Sequence, residues 1–329
     1  MQNKIEGPTL KAMPRNSSSR TKKLISFVIP VYRNEHSITP TYEKIRHLFE
    51  SKLREFDFEM LFVDDGSDDH SLKVLVGLHN KDPRVRVVSF TRNFGQFAAI
   101  VVGFRHITGD AVVMVSADLQ DPLELIVQMV THWSQGAELA ICHRTNREDG
   151  FFPKLFSRLA YSVIRVSFPT IPAGGFDYFL MDQKVVEAYN QIEVRVRNRF
   201  LQGELLWYGF KTTYIPYKRT PRAIGKTKYH FKRKLRIFLD YFLFSSAIPI
   251  RTMSFLGFFT ATLGFFQALT VVYARFLDKT PFPGWAPIVI LILLIGGILM
   301  VMLGVIGEYI WRIYDEVRKK PDYVVSRIY

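Results

Sequence analysis

Three short stretches place polar side chains where a phosphorylated ligand could be handled. Val63-Asp64-Asp65-Gly66-Ser67 closes one apolar run, and Ser116-Ala117-Asp118-Leu119-Gln120-Asp121-Pro122 closes another. Thr91-Arg92-Asn93-Phe94-Gly95-Gln96 follows a third. In open α/β sheets, ligands bind in the crevice outside the carboxyl ends of the strands. Carboxylates there accept hydrogen bonds from a nucleobase N–H or from ribose hydroxyls. Hard oxygen donors at the end of the second run, the carboxylates of Asp118 and Asp121 and the amide of Gln120, suit a divalent cation that also holds a phosphorylated substrate. Arg92 and its neighbouring amides, close to a helix start, could grip a diphosphate. Each stretch also fits a plainer role. Asp64 and Asp65 could cap a strand-to-helix turn, Thr91 to Gln96 could be a loop with an N-cap, and Asp121-Pro122 is a good helix start.

Other chemistries find no support. Gly225-Lys226-Thr227 looks like the tail of a P-loop, but the upstream glycine falls on Thr220. Tyr32-Arg33-Asn34-Glu35 follows the first strand in place of a GxGxxG turn, which argues against a dinucleotide-binding dehydrogenase. No cysteine and histidine set has zinc spacing, and the single cysteine, Cys142, excludes an intrachain disulfide framework.

Alternating strand and helix patterns must position these groups. Strands are predicted at Ile25 to Val31, Glu59 to Val63, Val85 to Phe90, Ala111 to Val115 and Glu138 to Cys142. Between them lie helices at Thr41 to Leu53, Ser71 to Asn80, Gln96 to Thr108 and Pro122 to Gln135. Repeated βα units imply a parallel sheet with helices on both faces.

Charge and hydropathy then narrow the partners. The 329-residue chain has a formal net charge of +14, which points to nucleic acid, an anionic membrane face or phosphorylated metabolites. Met253 to Ala274 and Trp285 to Gly307 carry no charged residue, and each exceeds the roughly 20 residues that a spanning helix needs. With the short turn from Arg275 to Gly284, they predict a two-helix transmembrane hairpin over 247–311. Membrane, not nucleic acid, is therefore the expected partner. Basic residues on the main-domain side and in the tail predict that this side is cytoplasmic, making the protein a multi-pass component of the inner (plasma) membrane.

The remaining segments follow from the same reasoning. Residues 1–23 are polar, basic and Ser-rich, and are expected to be a disordered tail; 312–329 is expected to be a cytoplasmic tail. Within 151–168, Phe152, Leu155, Phe156, Leu159, Val163 and Val166 share one helical face, opposite Lys154, Arg158 and Arg165. A second basic, aromatic helix is predicted at 229–246. Both read as helices lying in the plane of an anionic leaflet.

Taken in order, these stretches resemble the family 2 glycosyltransferases that load polyprenyl phosphate with a sugar, including bactoprenol glucosyltransferases and dolichyl-phosphate mannose synthase. The matching segments begin with Val28-Ile-Pro-Val-Tyr32, Asn34-Glu35, Val63 to Ser67, Arg92 to Gly95 and Ala117 to Pro122. They continue with Gly175-Phe-Asp-Tyr-Phe-Leu-Met181, Arg199 to Gly203, Pro221-Arg222, Gly225 to Tyr229 and Ile306 to Tyr314. The resemblance implies a GT-A type, Rossmann-like nucleotide-sugar domain over 24–228. It implies inverting transfer from a nucleotide sugar, with a UDP-hexose preferred, to undecaprenyl or a similar polyprenyl phosphate. Mg2+ or Mn2+ as cofactor and a homo-oligomer, a tetramer, are also implied.

By position, the resemblance puts Pro30, Tyr32, Glu35, Asp64, Asp65, Arg92, Asn93, Gln96, Ala117 and Asp118 around the nucleotide sugar. It puts Asp118 and Gln120 at the metal, Asp177 and Asp118 at the reacting centre, and Arg199, Arg222, Lys226 and Lys228 at phosphates. One position departs from the family pattern: Ser116 stands two residues before Asp118, where an Asp is usual. A hydroxyl in place of a carboxylate should loosen the metal site. It also leaves open a catalytically weak, nucleotide-binding relative that serves as a membrane scaffold. A transporter is excluded, since neither apolar run carries an internal charge.

Overall fold

The computed structural model describes residues 21–118, 121–144, 165, 168–172, 175–191, 200–217, 248–277, 286–318 and 320–329. The predicted helix over 151–168 lies almost wholly outside these residues, as do nearly all of the N-terminal tail and the helix over 229–246.

The chain divides into two compact units, Met1–Lys234 with Pro321–Tyr329, and Leu235–Lys320. In the first unit, β1 (Leu24–Val31), β2 (Asp57–Asp64), β3 (Val85–Phe90) and β4 (Ala111–Met114) are the predicted parallel strands. They alternate with α1 (Ile38–Ser51), α2 (Ser71–Lys81) and α3 (Gln96–His106). After β4 come α4 (Glu124–Ser134), β5 (Leu139–Arg144), β6 (Tyr178–Asp182), α5 (Gln183–Asn190), α6 (Leu201–Trp207) and β7 (Thr212–Tyr217). A last strand, β8 (Val325–Ile328), closes the chain.

The strand order is β7-β5-β6-β4-β1-β2-β3-β8. The sheet is mixed, not wholly parallel as the βα pattern predicts: β6 runs antiparallel to β4 and β5, and β8 runs antiparallel to β3. The departure has a physical cause. The apolar run from Tyr178 to Met181 enters between two strands already laid down, against their direction. β7 contains Pro216 and β8 is short and largely exposed, and both lie at sheet edges, where a missing donor or a half-solvated face is tolerated.

The central strands are near-continuous apolar runs because both faces are covered. Ile25, Phe27 and Ile29 of β1 pack with α1, α2 and α4, whereas Val28 faces α3 and its neighbours α5 and α6. Helix α3 sits close on β1 because Gly103 lacks a side chain. A Cβ there would lie 2.2 Å from Cγ1 of Val28.

The N-terminal edge of the sheet is closed by paired charges. Buried Glu59 accepts hydrogen bonds from Ser26 Oγ at 2.5 Å and from the Thr108 amide at 2.6 Å. It also accepts one from Arg86 Nη1 at 3.3 Å. Nearby, Asp82 is held by Arg84 Nη2 at 2.7 Å and by the Tyr42 hydroxyl at 2.9 Å. The Arg84 hydrogen bond, the main cause, holds the Asp82 carboxyl down to about 2.

The second unit holds two long helices, α7 (Ile248–Phe276) and α8 (Ala286–Val317), which contain most of the two predicted spans. They pack together: a Cβ at Gly257 of α7 would lie 3.1 Å from Met302 Cε of α8. Their outward residues are apolar, with Phe255, Phe258 and Met300 largely exposed. Among the described residues, Leu294–Val317 is long and apolar enough to cross a membrane, and holds an 18-residue stretch of mean hydropathy 1.9. The segment expected to be a tail differs in structure: Arg312 to Val317 continue α8, and β8 joins the sheet of the first unit.

Candidate active site

The opposite, C-terminal edge of the sheet carries those of the polar residues singled out by the sequence that are described. Strand β2 ends in Asp64, and Asp65 follows it directly; both are buried. The turn after them needs Gly66, which has φ +63° and lies against the Arg92 backbone. A Cβ there would lie 2.3 Å from the Arg92 carbonyl carbon.

Both carboxylates are engaged by donors of the protein itself. Asp64 accepts from the Ser67 amide and from Ser89 Oγ, each at 3.2 Å. Asp65 accepts from the Phe94 amide at 2.6 Å and from the Gly95 amide at 2.9 Å. Asp65 thereby ties down the loop that carries Arg92 and Asn93. Neither carboxylate has an ion-pair cation among the described residues. Burial pushes Asp65 up to about 6 despite its amide donors, and raises Asp64 as well. Each carboxylate oxygen has two acceptor sites, so both groups keep capacity for a ligand donor.

The end of β1 is laced to the same turn. Asn34 Oδ1 accepts from the Tyr32 amide at 3.0 Å, and Glu35 accepts from the His70 amide at 2.9 Å. Arg33 takes φ 55° and forms a two-bond pair with Asp68, both contacts at 2.6 Å. Tyr32 and Glu35 are half-buried, as is Pro30. Across the gap, Arg92, Asn93 and Gln96 are exposed at the start of α3.

At the end of β4, Ala117 is buried and Asp118 half-buried. Ser116 Oγ donates to Asp118 Oδ1 at 2.8 Å, so the hydroxyl orients the neighbouring carboxylate. Among the described residues no three His, Cys, Asp or Glu side chains converge as a metal cluster. The donor set still fits a hard cation, because Mg2+ in phosphate sites is held by one or two carboxylates plus phosphates and water.

A second group lies where β5, β6 and β7 meet this edge. Because β6 is antiparallel, its first residue sits beside the carboxyl ends of β4 and β5, with Tyr178 opposite Cys142 and Phe179 opposite Met114. Exposed Asp177 immediately precedes β6. Its carboxylate lies 3.9 Å from Arg144 Nη2 and accepts from Gln202 Nε2 at 3.2 Å. The Arg144 Nε donates to the Tyr217 hydroxyl at 3.4 Å, which in turn donates to Asp121 Oδ1 at 2.7 Å. Burial first, and then Asp121, raise the Tyr217 hydroxyl well above its ordinary pKa.

Sequence reasoning missed Arg144, Tyr217, Gln202 and Arg33. Arg144 was within reach, since it ends a strand predicted to stop two residues earlier; Tyr217 was hidden by the Pro216 that disguises its strand. Gln120, Arg199, Arg222, Lys226 and Lys228 lie outside the described residues.

Comparison with known proteins identifies the family. The profile described as "Glycosyl transferase family 2" matches residues 26–189, which span β1 to α5. The uncharacterized glycosyltransferase YkcC of Bacillus subtilis is 36% identical over 92% of this chain and 94% of its own length. The SfII prophage-derived bactoprenol glucosyl transferase of Shigella flexneri is 32% identical over 92% of this chain and 97% of its own. Among solved structures, a mannosyltransferase from Pyrobaculum calidifontis, in complex with GDP-Man and Mn2+, has a TM-score of 0.48. It is 16% identical and covers 70% of this chain and 65% of its own, too distant to speak to chemistry. A third of the residues shared along nearly the whole length is decisive: the chain belongs to glycosyl transferase family 2, and it is a glycosyltransferase with a mixed-sheet, GT-A type domain.

Proposed function

We propose that the protein transfers a hexose, with inversion, from a UDP-sugar to polyprenyl phosphate, with undecaprenyl phosphate as the expected acceptor. The observation that carries this reading is the full-length likeness to proteins named bactoprenol glucosyl transferase, from Shigella flexneri and from phage SfX. The likeness extends over 92% of the chain, too much to be confined to the sheet domain. The two apolar helices are then a membrane hairpin, with spans at about 253–274 and 285–307, and the sheet domain works at the cytoplasmic face.

The C-terminal edge supports a set of roles within this reading. Asp64, Asp65, Pro30, Tyr32 and Glu35 form the donor side, where spare carboxylate lone pairs receive nucleoside N–H and O–H groups. Arg92, Asn93 and Gln96, at the start of α3, face the diphosphate. Asp118, with Gln120, would hold Mg2+ or Mn2+, which when bound offsets charge on the departing nucleoside diphosphate.

On the acceptor side, an oxygen of the lipid phosphate attacks the anomeric carbon from the face opposite the leaving diphosphate. Such a phosphate has its second pKa near about 6 and is already largely dianionic at neutral pH. A strong general base is therefore unnecessary, and Asp177 serves to orient groups at the reacting centre. Arg144, 3.9 Å from Asp177, supplies a cation to the incoming phosphate; Arg199, Arg222, Lys226 and Lys228, outside the described residues, keep the phosphate-binding role that the family resemblance implies.

Product formation in detergent, from a panel of UDP- and GDP-sugars with undecaprenyl phosphate and Mn2+, tests the reading. Transfer from a single UDP-hexose is the expected outcome. Nucleotide binding without transfer to this lipid from any donor would overturn it, in favour of a membrane scaffold.

A further inference from the structure

The last seven residues of the chain underpin the loop that carries Arg92 and Asn93. Strand β8 pairs with β3, and Tyr329 extends the ladder, its amide donating to the Val87 carbonyl at 2.8 Å. At the other end, the Thr91 amide donates to the Val324 carbonyl at 3.1 Å, past a register shift between Ser89 and Phe90. Thr91 is the residue immediately before Arg92.

Side chains continue this support. Tyr323 stacks on Phe90, with ring centroids 5.6 Å apart and planes at 17°. Phe90 meets Phe94 edge-on at 5.8 Å, and the Arg92 guanidinium lies 4.7 Å over the Phe94 ring. The Tyr323 hydroxyl accepts from Arg105 Nη1 at 2.9 Å, which fixes the ring against α3. The Phe94 amide is also the donor to Asp65.

We infer that Tyr323 is a positioning residue for donor binding, acting through the Phe90 and Phe94 rings on the loop that carries Arg92. The geometry gives the reason. The loop leaves the sheet just past the register shift and carries exposed polar side chains, so its own apolar burial is small. An aromatic stack beneath it and the Thr91–Val324 bond set where Arg92 stands. Loss of the flat ring leaves Phe90 and Phe94 free to shift, and with them Arg92 and the Asp65 clamp. This inference rests on the proposed donor role of Arg92.

The test uses the full-length protein in detergent, with UDP as the binding probe and UDP-hexose turnover as the second readout. Tyr323→Ala is expected to raise the UDP Kd and the donor KM together, about 5- to 10-fold, with kcat within about twofold. Tyr323→Phe keeps the stacked ring but loses the Arg105 hydrogen bond, and its UDP Kd should lie between those of the wild type and Tyr323→Ala. Hydrogen exchange at the Phe94 and Gly95 amides should quicken in Tyr323→Ala while amides of β1 stay protected, which separates loop loosening from unfolding. Arg92→Ala serves as the reference. If Arg92→Ala weakens UDP binding but Tyr323→Ala leaves both binding and exchange unchanged, the inference is overturned. If Arg92→Ala leaves UDP binding unchanged, the donor role of Arg92 falls, and the inference with it.

Discussion

The two edges of one sheet treat buried carboxylates in opposite ways. At the N-terminal edge, Glu59 and Asp82 are each matched by an arginine and by neutral donors, and Asp82 is held down to about 2. At the C-terminal edge, Asp64 and Asp65 are as deeply buried, yet among the described residues only amides and hydroxyls meet them, and Asp65 is pushed up to about 6. A carboxylate with its cation supplied is finished structure. One left short of positive charge in a ligand crevice is a candidate for function, because burial without a counter-charge costs stability that a ligand or cation can return.

The comparison can be broken most directly at Asp118. Asp118→Asn should reduce kcat/KM by about 10³-fold while the melting midpoint in detergent changes little, because Asn keeps the size of this half-buried side chain and an oxygen that can accept from Ser116 Oγ. A comparable loss of both would make it a structural residue. Glu59→Gln should do the reverse. It removes a charged acceptor from the Ser26, Thr108 and Arg86 donors and should cost about 3 kcal/mol of stability, read by denaturant or thermal melts. Activity per folded molecule should stay near wild type.

Two smaller effects sharpen the contrast. Ser116→Asp adds a carboxylate beside Asp118 and should lower the half-saturating metal concentration by roughly 3- to 10-fold. An unchanged value would remove the case for a looser metal site. The pH response should differ in sign between the edges. Asp65 has a folded pKa of about 6, above its ordinary 3.8, so its contribution is fully present below 3.8 and is lost as pH rises through 6. Asp82, at about 2, contributes fully above 3.8 and loses that contribution as pH falls through 2. Relative to wild type, Asp65→Asn should therefore melt more favourably at pH 7 than at pH 4. The deficit of Asp82→Asn should shrink between pH 4 and pH 2.

How much of this was legible in the sequence follows from the same physics. The βα units to Cys142 were readable because doubly covered parallel strands are apolar runs bounded by turns, and the carboxylates that end them stand out by contrast. Tyr178 to Met181 carries no direction in its composition, so its antiparallel insertion between β4 and β5 was invisible. That insertion is what brings Asp177 to the site edge beside Arg144. The strand Val325–Ile328 is too short and too polar to declare itself, and its partner lies more than two hundred residues away. Charge pairing was equally hidden: Glu59 and Asp65 look alike in a sequence, and only the fold gives one of them an arginine.

Hydrogen exchange of the full-length protein with and without UDP and Mn2+ tests the central claim most directly, since it reads both edges in one experiment. The expected result is added protection at the amides of Ser67, Phe94 and Gly95, which donate to Asp64 and Asp65, with no change at Arg84 and Thr108. Protection at the Glu59 and Asp82 edge instead, or at neither, would contradict the assignment of the donor site.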